Sequence, residues 1–184
     1  MHIESPLVAS KNQWLHDQVE CEFPTKESLE GLALYQRSLS ERTLQPLSCS
    51  LEKSGNELEH FLVDFHRLTI LFSILQSKRW ASEAERALIV EFLTQIILAP
   101  EHALYVSFSA GEPVGALMLT HGDDQLLASD IIYRDKTKLE EIEKYVADLI
   151  ATVRMESPVS NVNSARGLIA CLALSDQQGT MSTL

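Results

Sequence analysis

Six histidines supply the side chains that most often bind metals or transfer protons near neutral pH: His2, His16, His60, His66, His102 and His121. A metal pair on one helix face needs two histidines four residues apart, and no two of these have that spacing. The dispersed set therefore predicts structural or solvent-facing roles and no metal site. His121 directly precedes the turn at 122–124, where it could reach a substrate, but hairpin ends also carry polar residues for turn geometry alone.

Nucleophilic chemistry has no clear sequence signal. A Gly-x-Ser-x-Gly turn often indicates a hydrolytic Ser–His–Asp triad, and the chain contains none. Ser107 and Ser109 alternate with apolar residues, which is the period of a half-solvated strand. The cysteines are widely spaced and form no Cys-x-x-Cys pair: Cys21, Cys49 and Cys171. They predict buried free thiols in a reducing compartment rather than a disulfide framework or a zinc site.

The composition is typical of a globular protein and excludes several functional classes. The 184 residues fit one domain with or without an appendage, and 45% are hydrophobic, too many for overall disorder. The net charge of −11 argues against a general nucleic-acid binder, because phosphate neutralisation needs clustered Lys and Arg. No apolar run approaches the ~20 residues of a membrane span, and the N-terminus lacks the parts of a secretory signal. We therefore expect a soluble cytoplasmic protein without nucleic acid or membrane partners.

Helical periodicity dominates the first hundred residues. Residues 1–24 give no firm assignment, and a capping threonine starts a helix expected over 25–43. A proline and serine-rich loop is expected over 46–55. The wide apolar stripe over 57–77, with three phenylalanines, predicts a central core helix, or alternatively half of a homodimer interface with Trp80 at its rim. A capping box then starts a helix expected over 82–98.

The second half of the chain carries the strand signals. Residues 104–133 contain three short apolar runs separated by turns at 111–113 and 122–124, which predicts an antiparallel meander. A capping box at 137–140 starts an amphipathic helix, and the apolar run at 167–174 predicts a fourth strand. The predicted fold class is α+β, an antiparallel meander sheet with packed helices and a helical N-terminal part. The expected division is an N-terminal helical extension at 1–56, an α+β domain at 57–174 and a disordered tail at 175–184.

A family resemblance lies in residues 103–135. This segment reads ALYVSFSAGEPVGALMLTHGDDQLLASDIIYRD, with the sequence Gly111-Glu112-Pro113-Val114-Gly115 between its first two strands. With the order helix, helix, meander, helix, buried strand, it resembles the Gcn5-related N-acetyltransferase (GNAT) superfamily. The resemblance covers about residues 57–174 and implies a GNAT-like fold.

The resemblance also implies roles for residues at the end of the third meander strand. In such enzymes this strand carries acetyl-CoA and the reacting amine, which implies Asp130 as general base and Tyr133 as general acid. The implied cofactor-binding residues are Ile131, Ile132, Arg134, Lys136, Thr137 and Lys138. Family members hold the pyrophosphate with a glycine-rich loop at a helix N-terminus. This chain has no glycine between Tyr133 and Glu140, and acidic residues occupy the first helical turns.

Two functions are compatible with these observations. The first is a GNAT-like acyl-CoA-dependent N-acetyltransferase relative that transfers acetyl from coenzyme A to a small-molecule or protein amine. The alternative is a non-catalytic protein-binding or regulatory module on a degenerate GNAT-like scaffold, with Asp130 facing solvent and Tyr133 packed beneath the following helix. The preserved order of elements favours the first, and the missing glycines favour the second. An acyltransferase should have a cleft between the third and fourth strands, whereas a binding module has it filled by side chains.

Overall fold

The chain forms five α-helices and six strands in a computed structural model that describes residues 5–20, 22–47, 58–134, 138–156 and 167–173. The helices are α1 (Pro6–Asp17), α2 (Lys26–Ser38), α3 (His66–Ser77), α4 (Glu83–Leu93) and α5 (Leu139–Glu156), with a 3₁₀ turn at Leu39–Glu41. The strands are β1 (Arg42–Pro46), β2 (Leu58–Leu62), β3 (His102–Ser109), β4 (Glu112–His121), β5 (Gln125–Tyr133) and β6 (Gly167–Ala173). The predicted α+β class is confirmed. Among the described helices, none combines the length and apolar character needed to cross a bilayer.

All six strands belong to one sheet in the order β1-β6-β5-β4-β3-β2. Strands β3, β4 and β5 form the predicted antiparallel meander, and β2 extends it at one edge. Strand β6 is the fourth strand predicted from the apolar run at 167–174, and it lies parallel to β5. The parallel ladder ends at Ala128 and Ala170, although β5 continues to Tyr133. Strand β1 pairs antiparallel with β6 and forms the other edge.

The two faces of the sheet are covered by different helices. Helix α5 packs on one face, where its apolar side chains meet Leu117, Leu119, Leu126 and Ala128. Helices α1 to α4 cover the other face, where their apolar side chains meet Leu104, Val106, Ala116 and Met118. Successive residues of β4 thus alternate between the two faces with the period of two expected of a strand. Both faces of β3 to β5 are therefore largely buried.

The helix starts are set by side chains that the sequence identifies. Thr25 caps α2, since its hydroxyl accepts the backbone N–H of Ser28 at 3.1 Å. Ser82 caps α4 in the same way, with the N–H of Glu85 at 3.5 Å. Each cap satisfies a donor that the first helical turn leaves without a partner. Both predicted helix starts are confirmed.

Several predicted elements have different bounds in the structure. The helix expected over 57–77 begins only at His66, because Leu58–Leu62 completes the sheet as β2 by pairing with β3. Phe61 and Phe65 are consequently exposed rather than part of a helical core stripe. The helix expected over 25–43 ends at Ser38, and the following strand β1 makes the N-terminal part a contributor to the sheet. The expected loop and tail, at 46–55 and 175–184, lie largely or wholly outside the described residues.

Candidate functional site

The end of β5 contains an irregularity that brings Asp130 to the centre of the protein. The register between β4 and β5 shifts between Ala116 and Met118, and Asp130 has a positive φ of 51°. Aspartate tolerates the left-handed region better than most residues, because its short side chain can make local hydrogen bonds. The bulge places the Asp130 side chain on the face covered by α1 to α4, where it lines a cavity with Leu15 and Met118.

Three N-terminal elements contact the Asp130 carboxylate. Lys11 of α1 approaches Oδ2 with its Nζ at 3.2 Å, and Tyr35 of α2 donates its hydroxyl to Oδ1 at 2.9 Å. Arg42 of β1 donates to Oδ1 at 2.6 Å, and Lys11 also donates to the Tyr35 hydroxyl at 2.6 Å. We call Lys11, Tyr35, Arg42 and Asp130 the charged cluster. The cluster connects α1, α2 and β1 to one residue of β5, Asp130.

The charged cluster is buried, and its ionisation follows from the contacts within it. Burial alone would raise the pKa of Asp130, but the charges of Arg42 and Lys11 outweigh it and hold that pKa well below its ordinary value. Burial would lower the pKa of Lys11, but Asp130 and Tyr35 outweigh it and raise that pKa. Burial and the Asp130 charge together raise the pKa of Tyr35. Asp130 is therefore a stable carboxylate, and it is too weak a base to deprotonate an amine at neutral pH.

The backbone carbonyls at the bulge also have partners. The side-chain amide of Gln76, in α3, donates to the carbonyl oxygen of Asp130, and the guanidinium of Arg79 donates to that of Ile131. Arg79 Nε also contacts Gln76 Oε1 at 3.2 Å. A ligand that used these two carbonyls would have to displace both side chains. At the end of β5, protein side chains therefore bind the backbone carbonyls as well as the Asp130 carboxylate.

A small cavity adjoins the charged cluster. It is lined by Leu15, Tyr35, Arg42, Phe72, Gln76, Trp80, Leu93, Met118 and Asp130. Its volume of about 10 Å³ is on the scale of one water molecule. Sites for drug-sized ligands and cofactors enclose ~300 Å³ or more. The space beside Asp130 therefore accommodates a single buried water.

The residues that the resemblance groups together lie on both faces of the sheet. Tyr133 is buried on the α5 face, where its ring stacks on that of Tyr145 at 4.4 Å and 3° between planes. Ile131 belongs to the same core, whereas Ile132 packs on the opposite face with α1 to α4. Asp130 and Tyr133 therefore do not converge on one reacting atom. The expectation that Asp130 faces solvent is wrong because Lys11 and Arg42 bury it, and Tyr133 does pack beneath the following helix.

The basic residues after β5 are only partly described. Arg134 is exposed with a φ of 50°, and its guanidinium lies 5.2 Å from the centre of the Tyr133 ring. Lys138 is exposed just before α5. The other two residues expected to contact phosphates, Lys136 and Thr137, lie outside the described residues. The described part of this segment presents two cations at the start of α5.

Comparison with known proteins identifies a fold and no function. No protein-family model matches the sequence, and no curated protein matches it. Among solved structures, the chain is similar to a functionally unknown conserved protein from Staphylococcus epidermidis, with a TM-score of 0.51 and 14% sequence identity. The match covers 82% of this chain and 60% of that one. This chain thus spans less than two thirds of that protein's length, and at this identity the likeness shows a shared fold alone.

A second polar network lies on the α5 face and was missed from the sequence. His60 Nδ1 is 2.7 Å from Ser107 Oγ, and His60 Nε2 is 3.0 Å from Asp148 Oδ2. Ser107 Oγ also lies 2.8 Å from the Tyr145 hydroxyl, whose pKa is raised by burial. No local motif predicts that a serine, a histidine and an aspartate lie in contact here. The network joins edge strand β2 to β3 and α5.

The geometry of this network is not that of a hydrolytic triad. In serine hydrolases the imidazole approaches serine with Nε2 and aspartate with Nδ1, and here the two nitrogens are exchanged. Ser107 is also fully buried, so its hydroxyl has no access to a substrate. The network satisfies polar groups inside the core, as buried polar side chains generally require.

One group of side chains in the described part of the chain comes close enough to share a cation. His16, Asp17 and Glu20 lie at the end of α1, with candidate ligand atoms within 4.8 Å of one another. His16 Nδ1 is 3.7 Å from Asp17 Oδ1 and 3.5 Å from Glu20 Oε1. All three side chains are substantially exposed, and exposed carboxylates often gather in this way without an ion. The trio by itself assigns no metal.

Proposed function

We propose that the protein is a non-catalytic binding or regulatory module on a GNAT-like scaffold. The observation that carries this proposal is the charged cluster, in which Asp130 is used to hold the N-terminal elements against the sheet. A carboxylate with two cationic partners and a strongly depressed pKa does not serve as a general base for an amine. Lys11, Tyr35 and Arg42 fill the space around the Asp130 carboxylate, which supports the filled cleft expected of a module.

Exposed apolar surface supports a role in protein contacts. Phe61 and Leu62 on edge strand β2, and Phe65 just before α3, are each about half exposed. Soluble proteins usually protect sheet edges with charges or prolines, and they seldom leave several large apolar side chains together at an edge. Glu59 and Asp64 are exposed beside them. Exposed apolar side chains with acidic neighbours at a sheet edge are typical of surfaces that protein partners cover.

Acetyl transfer from coenzyme A to an amine is the second candidate, and a specific observation favours it. The elements from β2 to β6 follow the order strand, two helices, three-strand meander, helix, parallel strand. The parallel ladder stops at Ala128 and Ala170 while β5 continues past it, beside the bulge at Asp130. Strands that separate at this point are where the resemblance implies the cofactor. This candidate requires the charged cluster to rearrange.

Thermal unfolding with acetyl-CoA and with free coenzyme A separates the two candidates. For the module we expect no change in the midpoint at millimolar ligand, with ATP as a control for general anion binding. Binding to the native state at a hundredfold excess over Kd would contribute ~2.7 kcal/mol and give a clear shift. A shift that is lost in Lys136→Glu/Lys138→Glu, but kept in the control Lys26→Glu/Lys78→Glu, would show a coenzyme A site and favour acetyl transfer over a module that binds only proteins.

A further inference from the structure

Helix α1 is docked on the sheet by apolar contacts of Trp14 and Leu15 together with polar contacts. Among its twelve residues only Lys11 and Leu15 are buried. Lys11 enters the charged cluster, and the Trp14 ring stacks on the His102 ring with centroids 4.7 Å apart. An ordinary surface helix docks through a continuous apolar stripe. The attachment of α1 therefore depends on charges and rings whose interactions change with pH.

His102 begins β3 and His121 ends β4, so the two histidines lie at the open end of the β3–β4 hairpin that α1 covers. His102 is buried under Trp14, and its Nδ1 is 3.1 Å from the Thr120 hydroxyl. His121 is half-buried, and its Nδ1 is shielded from solvent with no hydrogen-bond partner among the described residues. Leu7 of α1 reaches the turn between β4 and β5, since a Cβ at Gly122 would lie 2.8 Å from its Cδ2. The imidazole of His102 is thus enclosed at the interface with α1, and His121 lies close enough to interact with its charge.

We propose that α1 is a pH-sensitive strap across the cavity beside Asp130, released when His102 and His121 take up protons. Leu15 of α1 forms one wall of that cavity, so release of α1 opens it. The opened site presents Tyr35, Arg42 and Asp130 together with the apolar residues Phe72, Trp80 and Met118. The inference goes beyond the proposed function, because it concerns the motion of α1 whatever ligand or partner the protein binds.

The charged groups around the two histidines determine the direction of the switch. Burial lowers the pKa of both, and for His102 the nearby Lys11 and His121 lower it further. The Glu101 charge raises the pKa of both imidazoles, but by less than burial lowers it. Protonation in the docked state therefore places new positive charge beside Lys11 in a region with little water. Once α1 leaves, the imidazoles regain water and bind protons more readily, so acid favours the undocked state.

Hydrogen exchange measured by mass spectrometry tests the strap on the intact chain. Rates in α1 and α5 are compared at pH about 7.5 and about 5.5, a range in which histidines titrate and most carboxylates do not. After correction for the intrinsic pH dependence of exchange, we expect α1 to lose protection by roughly tenfold at the lower pH and α5 to stay unchanged. An α1 whose protection is the same at both pH values overturns the proposal. Equal loss in α1 and α5 also overturns it, because that pattern is global unfolding.

Substitution identifies the groups responsible. In His102→Gln/His121→Gln we expect the protection of α1 to be independent of pH, while the control His66→Gln, at an exposed position in α3, keeps the wild-type response. A double variant with the full wild-type response would assign the switch to other groups and overturn the proposal. The wild-type comparison of α1 with α5 decides the question alone if the double variant does not fold. Trp14 fluorescence in Trp80→Phe gives an independent readout, because a released Trp14 shifts to longer emission wavelength at the lower pH.

Discussion

At the scale of single residues, Asp130 determines whether the N-terminal elements stay on the sheet. We expect Asp130→Asn to lower the free energy of unfolding by ~3–5 kcal/mol, because it leaves the buried Lys11 ammonium beside Arg42 without the carboxylate between them. Urea unfolding measures the change. The control Asp124→Asn, in the exposed turn after β4, should stay within about 0.5 kcal/mol of wild type. A small loss in Asp130→Asn would mean that the contacts of the carboxylate contribute little to stability.

A double-mutant cycle measures how strongly Asp130 and Lys11 depend on each other. Lys11→Met keeps the length of the side chain and removes its charge, so it should also destabilise by leaving the buried carboxylate with one cation fewer. In the double variant Lys11→Met/Asp130→Asn we expect a smaller loss than the sum of the two single losses, with a coupling of ~1–3 kcal/mol. Additive losses would contradict direct pairing within the charged cluster.

The hydroxyl of Tyr145 gives a second prediction at this scale. It lies 2.8 Å from Ser107 Oγ inside the core, so Tyr145→Phe should cost ~1 kcal/mol through the lost hydrogen bond. Tyr133→Phe is the matched control, since its ring stacks on Tyr145 and keeps that contact after the change. Thermal unfolding of both variants measures the difference. A greater loss in Tyr133→Phe than in Tyr145→Phe would contradict the assignment of the hydrogen bond.

Residue-level chemistry was the hardest part to predict from the sequence, for a physical reason. Asp130 was identified as a candidate, but its partners Lys11 and Arg42 lie 119 and 88 residues away in the chain. The same holds for His60 and Asp148, which are 88 residues apart. Periodicity reports which face of an element is apolar, and it says nothing about which distant charge will meet another. A buried lysine at position 11 has no local signal at all.

At the scale of helices, one glycine sets the distance between α2 and α4. A Cβ at Gly31 would lie 2.1 Å from the carbonyl oxygen of Leu88 and 2.7 Å from Cβ of Phe92. Alanine normally stabilises a helix relative to glycine by ~1 kcal/mol. We nevertheless expect Gly31→Ala to destabilise the protein, because the backbone of α4 must move away and the core around Phe92 must repack. Chemical unfolding gives the sign of the effect.

A matched change in the same helix separates propensity from packing. Ala33 is exposed on α2, so Ala33→Gly should cost ~1 kcal/mol through backbone entropy alone. The two reciprocal changes should then both destabilise the protein. If Gly31→Ala instead stabilised it by the amount that Ala33→Gly destabilises it, the close approach of α2 and α4 would have no energetic consequence.

Helices and strands were predicted well where a local signal such as a capping residue is strong. They were predicted poorly where pairing with a distant strand determines the secondary structure. The caps Thr25 and Ser82 fix the starts of α2 and α4, and both starts were predicted correctly. Leu58–Leu62 has helical periodicity with the residues that follow, yet it is a strand because β3 offers an unpaired edge. β1 is a strand for the same reason, beside β6. Tertiary pairing overrode a local preference in both cases.

At the scale of the whole molecule, both edges of the sheet come from segments before the meander. β1 and β2 flank the four strands that contain the predicted meander and the parallel strand. The meander was predictable because consecutive antiparallel strands need only short turns. The edges were not, because β1 pairs with a strand more than a hundred residues later in the chain. The charged cluster then joins β1 to β5 across the intervening β6.

The pH dependence of stability follows from the buried groups taken together. His102 and His121 have lowered pKa values in the folded protein, so the folded state binds fewer protons than the unfolded state, and stability is lost as pH falls below about 6.5. Lys11 and Tyr35 have raised pKa values, so their contribution is complete below about 10 and is lost as pH rises through the folded values. We therefore expect a broad stability plateau between about pH 6.5 and 10.

Urea unfolding midpoints measured across pH test this plateau. In His102→Gln/His121→Gln we expect the loss of stability at acid pH to become smaller, while the loss at alkaline pH stays the same. A wild-type midpoint that did not change between pH about 7 and about 5 would contradict the enclosure of these imidazoles, since water-exposed histidines leave folding free energy independent of pH.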